Sequence, residues 1–281
     1  MTIRLLRLLK VLLSWPILHK MESFRLFIYH LLSTPTSFDN IRYFKFGIPL
    51  VLKRSTRTIS TEADALRFLN NCGLDLPVPR ILDSIVVGGQ TFTLMTRISG
   101  ELLIDKFESL SDAQLETIVQ DIFAVLRSLW TLRQPTQDSG KVMLSASGHG
   151  IPSPAQMFEE LEGPYNSILE CYFYIACHLV DSEAELQQLY PAACQALQND
   201  PIVYVHADLR SHNILVKDGR LNGIIDWENS GWLPRHWQLH VIRRSCASTR
   251  GKFRELINDV KGPDESEVAY RESKSLLRYH L

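Results

Sequence analysis

The sequence predicts an α+β fold of two lobes, a small antiparallel sheet followed by a larger, mainly helical part. Short strand-like runs around glycine turns occupy residues 41–54 and 85–96, with one helical segment between them. Residues 110–132 then show apolar side chains at helical spacing. The length of 281 residues suits one large domain or two lobes with a substantial core.

The composition is that of an ordinary globular protein, with 45% hydrophobic and 22% charged residues. The formal net charge of −1 gives no electrostatic reason to expect a nucleic-acid partner. The 5 cysteines include no C-x-x-C pair, so we expect reduced thiols rather than a zinc site or a disulfide framework.

The first 20 residues are rich in leucine and basic side chains and contain no acid. Three interpretations stay open: an amphipathic helix packed on the domain, a mitochondrial-type presequence, and a helix that contacts a membrane surface. The longest uncharged apolar stretch, residues 11–18, is too short to span a bilayer. We expect a cytoplasmic protein, with a mitochondrial location as the alternative. Residues 21–32 are a weaker helical stretch, and residues 33–37 are predicted to break it.

In the small lobe, Lys53 ends an apolar strand, where its ammonium can project toward phosphate groups. Glu62 follows near the start of a helical segment over residues 61–70, which Ser60 or Thr61 can cap. A strand lysine and a helix glutamate can pair and so hold the lysine against the phosphates of a nucleotide. Taken singly, the two residues also fit a solvated lysine and a first-turn acid.

The larger lobe begins with the helix predicted over residues 110–132, in which Ser111 and Gln114 form a capping box. Other helices are predicted over residues 155–161, 168–180 and about 183–197, and near the end of the chain. Short strands are predicted over residues 203–205, 214–216 and 221–225.

Residues 203–237 carry the strongest chemical pattern. His206, Asp208 and Asn213 form H-x-D-x-x-x-x-N, and Asp226 follows an apolar run. Asn213 and Asp226 fall at strand–loop junctions that a hairpin brings together, and their oxygens are hard ligands suited to Mg²⁺. Asp208 stands outside this pair, so it can accept the hydrogen bond of a substrate hydroxyl. The spacing therefore predicts phosphoryl transfer from a metal-bound nucleotide.

At these residues the sequence resembles the aminoglycoside phosphotransferase family, which has a protein-kinase-like fold, and most of all its large fungal branch. The resemblance extends over residues 46–237. The segments that carry it are HADLRSHNILV, GIIDWENSGWLPRHW, EADALRFL, PVPRILD and TLMTRISGE.

The resemblance implies a bilobal fold. Residues 1–37 are expected to form an N-terminal helical extension, residues 38–98 the nucleotide-binding lobe, and residues 99–281 the catalytic and substrate-binding lobe. His206 is expected to support the catalytic loop. The implied site consists of the base Asp208, the Mg²⁺ ligands Asn213 and Asp226, the phosphate-binding pair Lys53 and Glu62, and the hinge beside adenine, Thr96, Arg97 and Ile98.

The implied activity is ATP- and Mg²⁺-dependent phosphorylation of a hydroxyl on a small molecule; a choline-like or sugar-like metabolite is as open as an antibiotic. The alternative is a nucleotide-binding module without turnover, because the expected phosphate-covering loop, between residues 38 and 53, holds only Gly47. Gln238 also stands where members of the branch often have Glu. A protein kinase is disfavoured, because Trp227 follows Asp226 and no A-P-E motif comes after it.

Overall fold

The computed structural model of the chain describes residues 21–56, 59–152, 161–177, 179–245 and 251–277. The basic N-terminal segment of residues 1–20 lies outside these ranges, and so does most of the helix predicted over residues 155–161. In the part of the chain that is described, no helix is long and apolar enough to cross a membrane.

The small lobe is a five-stranded antiparallel sheet with the strand order β1-β2-β3-β5-β4. Its strands are β1 (Ser33–Pro35), β2 (Ile41–Phe44), β3 (Leu50–Ser55), β4 (Ile81–Val87) and β5 (Gln90–Thr96). The preceding helix α1 (Glu22–Leu32) packs on β4 and contributes the buried Tyr29 to the core of this lobe. The predicted strands on both sides of the central helix are thereby confirmed.

The helix between the strands, α2 (Thr61–Asn71), packs against both lobes. It is capped by the Ser60 hydroxyl, which accepts a hydrogen bond from Ala63 N at 3.3 Å, as the sequence predicts. Its buried face enters the core of the larger lobe through Leu66 and Leu69. Glu62 stands on the first turn of this helix, so the larger core fixes the position of its carboxylate.

The larger lobe is mainly helical, and its core contains three fully buried tryptophans, Trp227, Trp232 and Trp237. The helices are α3 (Asp112–Leu129), α4 (Ile168–Ile175), α5 (Glu183–Leu189), α6 (Pro191–Asn199), α7 (Arg235–Ser245), α8 (Lys252–Asp259) and α9 (Asp264–Ser273). The short strands are β6 (Glu101–Leu102), β7 (Ile151–Pro152), β8 (Leu161–Glu162), β9 (Ile202–His206), β10 (Ile214–Lys217), β11 (Arg220–Ile224) and β12 (Ser230–Pro234).

Two pairings of these strands position the site. β9 pairs with β12, and β10 lies between β11 and β6. The loop after β9 and the loop after β11 are therefore brought side by side. The capping box predicted for α3 is also present, with Ser111 and Gln114 satisfying each other's backbone N–H groups.

Two local predictions were wrong. Residues 33–37 do not simply break the chain, because Ser33–Pro35 adds to the edge of the sheet as β1. The single helix predicted from about residue 183 to about 197 is two helices, since Pro191 begins α6 and cannot donate the hydrogen bond that would continue α5.

The predicted class, an α+β fold with a small antiparallel sheet lobe and a larger helical lobe, is confirmed. The boundaries at residues 37/38 and 98/99 stay a prediction. α1 and β1 contribute to the sheet lobe, and the strand Glu101–Leu102 pairs with β10 in the larger lobe.

Candidate active site

Lys53 is surrounded by three carboxylates from two other parts of the chain, helix α2 and the segment that follows β11. Its ammonium lies 3.0 Å from Glu62 Oε2, 2.6 Å from Asp226 Oδ1 and 3.7 Å from Glu228 Oε2. The lysine side chain is only 11% exposed. The predicted strand–helix pair is thus formed, and Asp226 from the other lobe, the predicted metal ligand, joins it.

The charges of this cluster shift the pKa values of its members. Burial acts to lower the pKa of Lys53, but the carboxylates of Glu62, Asp226 and Glu228 outweigh it and raise that pKa. Burial raises the pKa of Glu62 to about 7, and the carboxylates of Asp226 and Glu228 act in the same direction. Burial would also raise the pKa of Asp226, yet the Lys53 ammonium lowers it. Three carboxylates around one ammonium leave an excess of negative charge, which favours binding of a further cation.

His206 ties the loop after β9 to the loop after β11. The Asp208 backbone N–H donates to His206 Nδ1 at 3.2 Å, so this ring nitrogen is the acceptor. The other ring nitrogen, Nε2, then donates to Ile225 O at 3.0 Å. Burial lowers the pKa of His206, which favours this neutral form. These contacts support the predicted structural role of His206.

Gln238 holds His206 from the other side. Its side-chain Oε1 accepts from His206 N at 3.0 Å, and its Nε2 donates to His206 O at 3.2 Å. Both groups of the primary amide are used, and the side chain is fully buried. A glutamate at this position would lack the donor that His206 O requires. Gln238, which stands where members of the branch often have Glu, therefore stabilises the backbone at His206.

Asp208 is oriented through both of its carboxylate oxygens. Arg210 Nε lies 2.6 Å from Oδ1, and Asn213 Nδ2 donates to Oδ2 at 3.2 Å and to the Asp208 backbone carbonyl at 2.8 Å. Because the amide nitrogen of Asn213 faces Asp208, its Oδ1 is left to face a cation. The two predicted roles, base and metal ligand, therefore fit the orientation of the two side chains.

The backbone segments that carry Asn213 and Asp226 are adjacent, as the predicted hairpin requires. Ile225 N donates to Asn213 O at 2.9 Å, and Asp226 comes next with a left-handed backbone, φ 64°. Asp and Asn tolerate this region better than bulky residues do. Trp227 anchors the following turn, since it is fully buried and its Nε1 donates to Ile224 O at 2.8 Å. An amide oxygen and a carboxylate on adjacent segments are ligand types that suit Mg²⁺.

The predicted hinge lies at the end of β5, beyond direct contact with the Lys53 cluster. Thr96 N donates to Arg80 O at 2.9 Å, and Arg97 N donates to Pro49 O at 2.8 Å. The Arg97 guanidinium lies 3.8 Å from the centre of the Tyr43 ring, a cation–π contact. The backbone N–H groups of Thr96 and Arg97 are thus used within the protein.

Ile98 differs from these two neighbours. Among the residues that the structure describes, its backbone N–H and C=O make no hydrogen bond. Its side chain packs on Gly223, where an added Cβ would lie 2.7 Å from the Ile98 side chain. Of the three predicted hinge residues, Ile98 is the one whose backbone N–H is left for an adenine edge.

The loop beside Lys53 is the β1–β2 connection, residues 36–40. Ile41, the first residue of β2, pairs with Lys53, so this connection leaves the sheet at the lysine end. Gly47 lies in the β2–β3 turn at the opposite end of the same strands. The prediction that the loop containing Gly47 covers the site is therefore wrong, and residues 36–40 contain no glycine.

Three contributors to the site were not predicted from the sequence: Arg210, Glu228, and Gln238 as the hydrogen-bonding partner of the His206 backbone. Arg210 lies two residues after Asp208 and Glu228 two residues after Asp226, so their nearness in sequence was a usable signal. The contact of Gln238 with His206 had no such signal, because 32 residues separate them.

A sheet lobe and a helical lobe with this arrangement of lysine, aspartates and asparagine define a phosphotransferase of the kinase-like class. A model of the phosphotransferase enzyme family matches residues 44–270. The chain belongs to this family, and the resemblance to aminoglycoside phosphotransferases is confirmed; the fungal branch stays a prediction.

Curated relatives agree with this assignment. An aminoglycoside 3'-phosphotransferase of Niallia circulans is 24% identical over 246 residues, which cover 80% of this chain and 82% of the relative. An aminoglycoside 3'-phosphotransferase of Enterococcus faecalis is 23% identical over 228 residues, with 78% of each chain covered.

Solved structures show the same fold. The crystal structure of aminoglycoside phosphotransferase APH(4)-Ia has a TM-score of 0.62 at 18% identity and covers 92% of this chain and 88% of its own. A thermostable mutant of that enzyme, in a ternary complex with ADP and hygromycin B, has a TM-score of 0.60 at 18% identity, with 91% and 88% covered. At this identity the similarity supports the fold alone.

Proposed function

We propose that the chain is an ATP- and Mg²⁺-dependent phosphotransferase that moves the γ-phosphoryl group of ATP to a hydroxyl of a small molecule. One observation carries the proposal: Asp226 is joined to Lys53 at 2.6 Å and, through Ile225, to the backbone of Asn213. A phosphate-binding cation, two metal ligands and the oriented carboxylate of Asp208 therefore belong to one cleft.

The chemistry follows from the orientation of these groups. Asp208 accepts the hydrogen bond, and then the proton, of the acceptor hydroxyl as its oxygen attacks the γ-phosphorus. Lys53, which Glu62 holds in place, neutralises the nonbridging phosphate oxygens. Asn213 and Asp226 would hold Mg²⁺, which would supply charge neutralisation when bound. The bond to the β,γ-bridging oxygen breaks, and ADP leaves.

The adenine and the acceptor are assigned to different parts of the cleft. Thr96, Arg97 and Ile98 form the adenine side, with the free backbone groups of Ile98 as hydrogen-bonding partners. We divide the chain by function into an N-terminal extension of residues 1–37, whose α1 and β1 pack on the sheet lobe, a nucleotide lobe of residues 38–98, and a catalytic and acceptor-binding lobe of residues 99–281. An aminoglycoside is one acceptor class to test, because relatives bear that name, and choline-like and sugar-like alcohols are others.

A second candidate is a nucleotide-binding module without turnover. The β1–β2 loop favours it, because residues 36–40 contain no glycine and include Asp39. Fewer unhindered backbone N–H groups are then available to approach phosphates, and an acid in the loop repels them. Asp208, Asn213 and Asp226 argue for the enzyme, since a binding module has no need of an oriented base.

The two candidates are separated by binding and turnover measured on the same preparation. We expect ATP with Mg²⁺ to raise the melting temperature under both. Transfer of ³²P from ATP to a panel of hydroxyl compounds should occur only with the enzyme, and Asp208→Asn should abolish it while nucleotide stabilisation persists. Stabilisation without transfer to any acceptor supports the module, and the absence of stabilisation by ATP contradicts both.

A further inference from the structure

A basic pocket lies among helices α7, α8 and α9, outside the site described above. Its cavity has a volume of about 320 Å³, at the lower end of the range for small-molecule sites. No carboxylate is among the described residues that line it. The side chains that determine its character are Arg243, Arg244, Arg254, Lys274, His240 and Tyr270.

Arg243 is built into the wall of this pocket. Its guanidinium donates to both carboxylate oxygens of Glu267 at 2.7 and 2.8 Å and to Val260 O at 3.1 Å. The guanidinium also lies 4.6 Å from the centre of the Tyr270 ring. The side chain is 8% exposed, and its Nε has no hydrogen-bond partner among the described residues. One buried donor of a rigidly held arginine is therefore unused.

Among the described residues, the other three cations face no carboxylate. In the described part of the chain, no carboxylate lies within ion-pair distance of Arg244, Arg254 or Lys274; the ammonium of Lys274 lies over the Tyr270 ring at 4.4 Å. The cations come from α7, α8 and the end of α9 and so surround the cavity. Three uncompensated positive charges around so small a space attract an anion with more than one negative charge.

The buried His240 lies close to the same cations. Burial lowers its pKa well below the ordinary value, and His236, Lys274, Arg243 and Arg244 lower it further. Its Nε2 shares a hydrogen bond with Ser273 Oγ at 2.8 Å. The neutral imidazole therefore leaves the positive charge of the pocket to the arginines and the lysine.

We propose that this pocket binds a small phosphate-bearing anion, such as a phosphate monoester or a diphosphate. Glu267 already neutralises Arg243, so three positive charges are left, more than one carboxylate can balance. Phosphate groups carry about two negative charges at neutral pH, and the planar guanidinium matches their oxygens with paired N–H donors. The inference does not rest on the proposed function, because it needs no nucleotide and no turnover.

The experiment is calorimetric titration of inorganic pyrophosphate into the full chain at about 0.15 M ionic strength, where exposed charges are screened beyond about 8 Å. The test variant is the double substitution Arg254→Ala with Lys274→Ala. Its matched control is Lys252→Ala with Arg271→Ala. The control also removes one cation from α8 and one from α9, but these two form ion pairs with Glu255 and Glu272 outside the pocket.

We expect the test variant to weaken pyrophosphate binding by at least about tenfold and the control to change it by less than about twofold. All four side chains are on exposed residues, so both doubles should keep the melting temperature of the natural chain. Pyrophosphate bound at the Lys53 cluster would be unaffected by either double and thus separable. The proposal is overturned if the natural chain does not bind pyrophosphate, or if the test variant binds it as tightly as the natural chain does. It is also overturned if both double variants weaken binding equally, or if citrate binds the pocket as tightly as pyrophosphate.

Discussion

Arg210 and Asp208 form an ion pair in which Arg210 Nε lies 2.6 Å from Asp208 Oδ1. The other carboxylate oxygen accepts from Asn213 Nδ2 at 3.2 Å. The proposed base is therefore held by two neighbours in its own loop. The guanidinium is 45% exposed, so the pair contributes little to stability, and its effect is on the orientation of Asp208.

Replacing Arg210 by Met should lower kcat by about tenfold, because one oxygen of the proposed base loses the partner that orients it. The free energy of unfolding should change by less than about 1 kcal/mol. Steady-state kinetics and urea unfolding check the two expectations, and Arg210→Lys should recover part of kcat. An unchanged or increased kcat in Arg210→Met would show that the arginine does not assist the base.

Lys53→Met should lower the free energy of unfolding by about 3 kcal/mol, because Glu62, with a 7% exposed side chain, loses the cation that it faces in the core. Adding Glu62→Gln to Lys53→Met should restore part of this loss. Urea unfolding of the natural chain, both single variants and the double variant at pH 7 gives the coupling. Purely additive changes would mean that the two side chains do not stabilise each other.

Asp226→Asn should fold like the natural chain and lose at least about a hundredfold in kcat. Asparagine tolerates the left-handed backbone at φ 64°, but a neutral amide neither neutralises Lys53 nor binds Mg²⁺ as a carboxylate does. Asp226→Val should in addition lower the melting temperature, because a β-branched residue is strained there. Equal melting temperatures for the two variants would contradict the role of the backbone conformation.

Gln238→Leu should lower the free energy of unfolding by about 2–3 kcal/mol, because the backbone N–H and C=O of the buried His206 both lose their partner. kcat should fall as well, since His206 positions the loop that carries Asp208. The exposed Gln195 on α6 offers a matched control, and Gln195→Leu should leave both quantities unchanged. Loss of stability without loss of kcat would separate Gln238 from the catalytic loop.

Acidification should destabilise the fold through His240. Its pKa is lowered in the folded state, mainly by burial, so below about pH 6.5 the unfolded chain binds a proton that the folded chain does not. The contribution of this group is complete above about pH 6.5 and is lost as the pH falls toward its folded pKa. His240→Gln should therefore reduce the slope of unfolding free energy against pH between 7 and 5, as measured by urea unfolding at several pH values in that range.

Features that depend on neighbours in sequence were readable from the sequence. The capping groups Ser60 and Ser111, the β4–β5 hairpin and the H-x-D-x-x-x-x-N spacing are formed within a few residues, where propensity and side-chain chemistry act locally. The break at Pro191 was equally local, and the missing N–H of proline would have predicted it.

The tertiary structure decided what depends on distant segments. Lys53 meets Asp226 across 173 residues, and strand register, which decides whether residues 36–40 or Gly47 lie beside that lysine, follows from packing of the whole sheet. The basic pocket likewise needs three helices at once. The sequence alone therefore determined which chemical groups this protein has and their local geometry. Only the packed fold decided which groups face one another, because burial and charge pairing act between segments far apart in the chain.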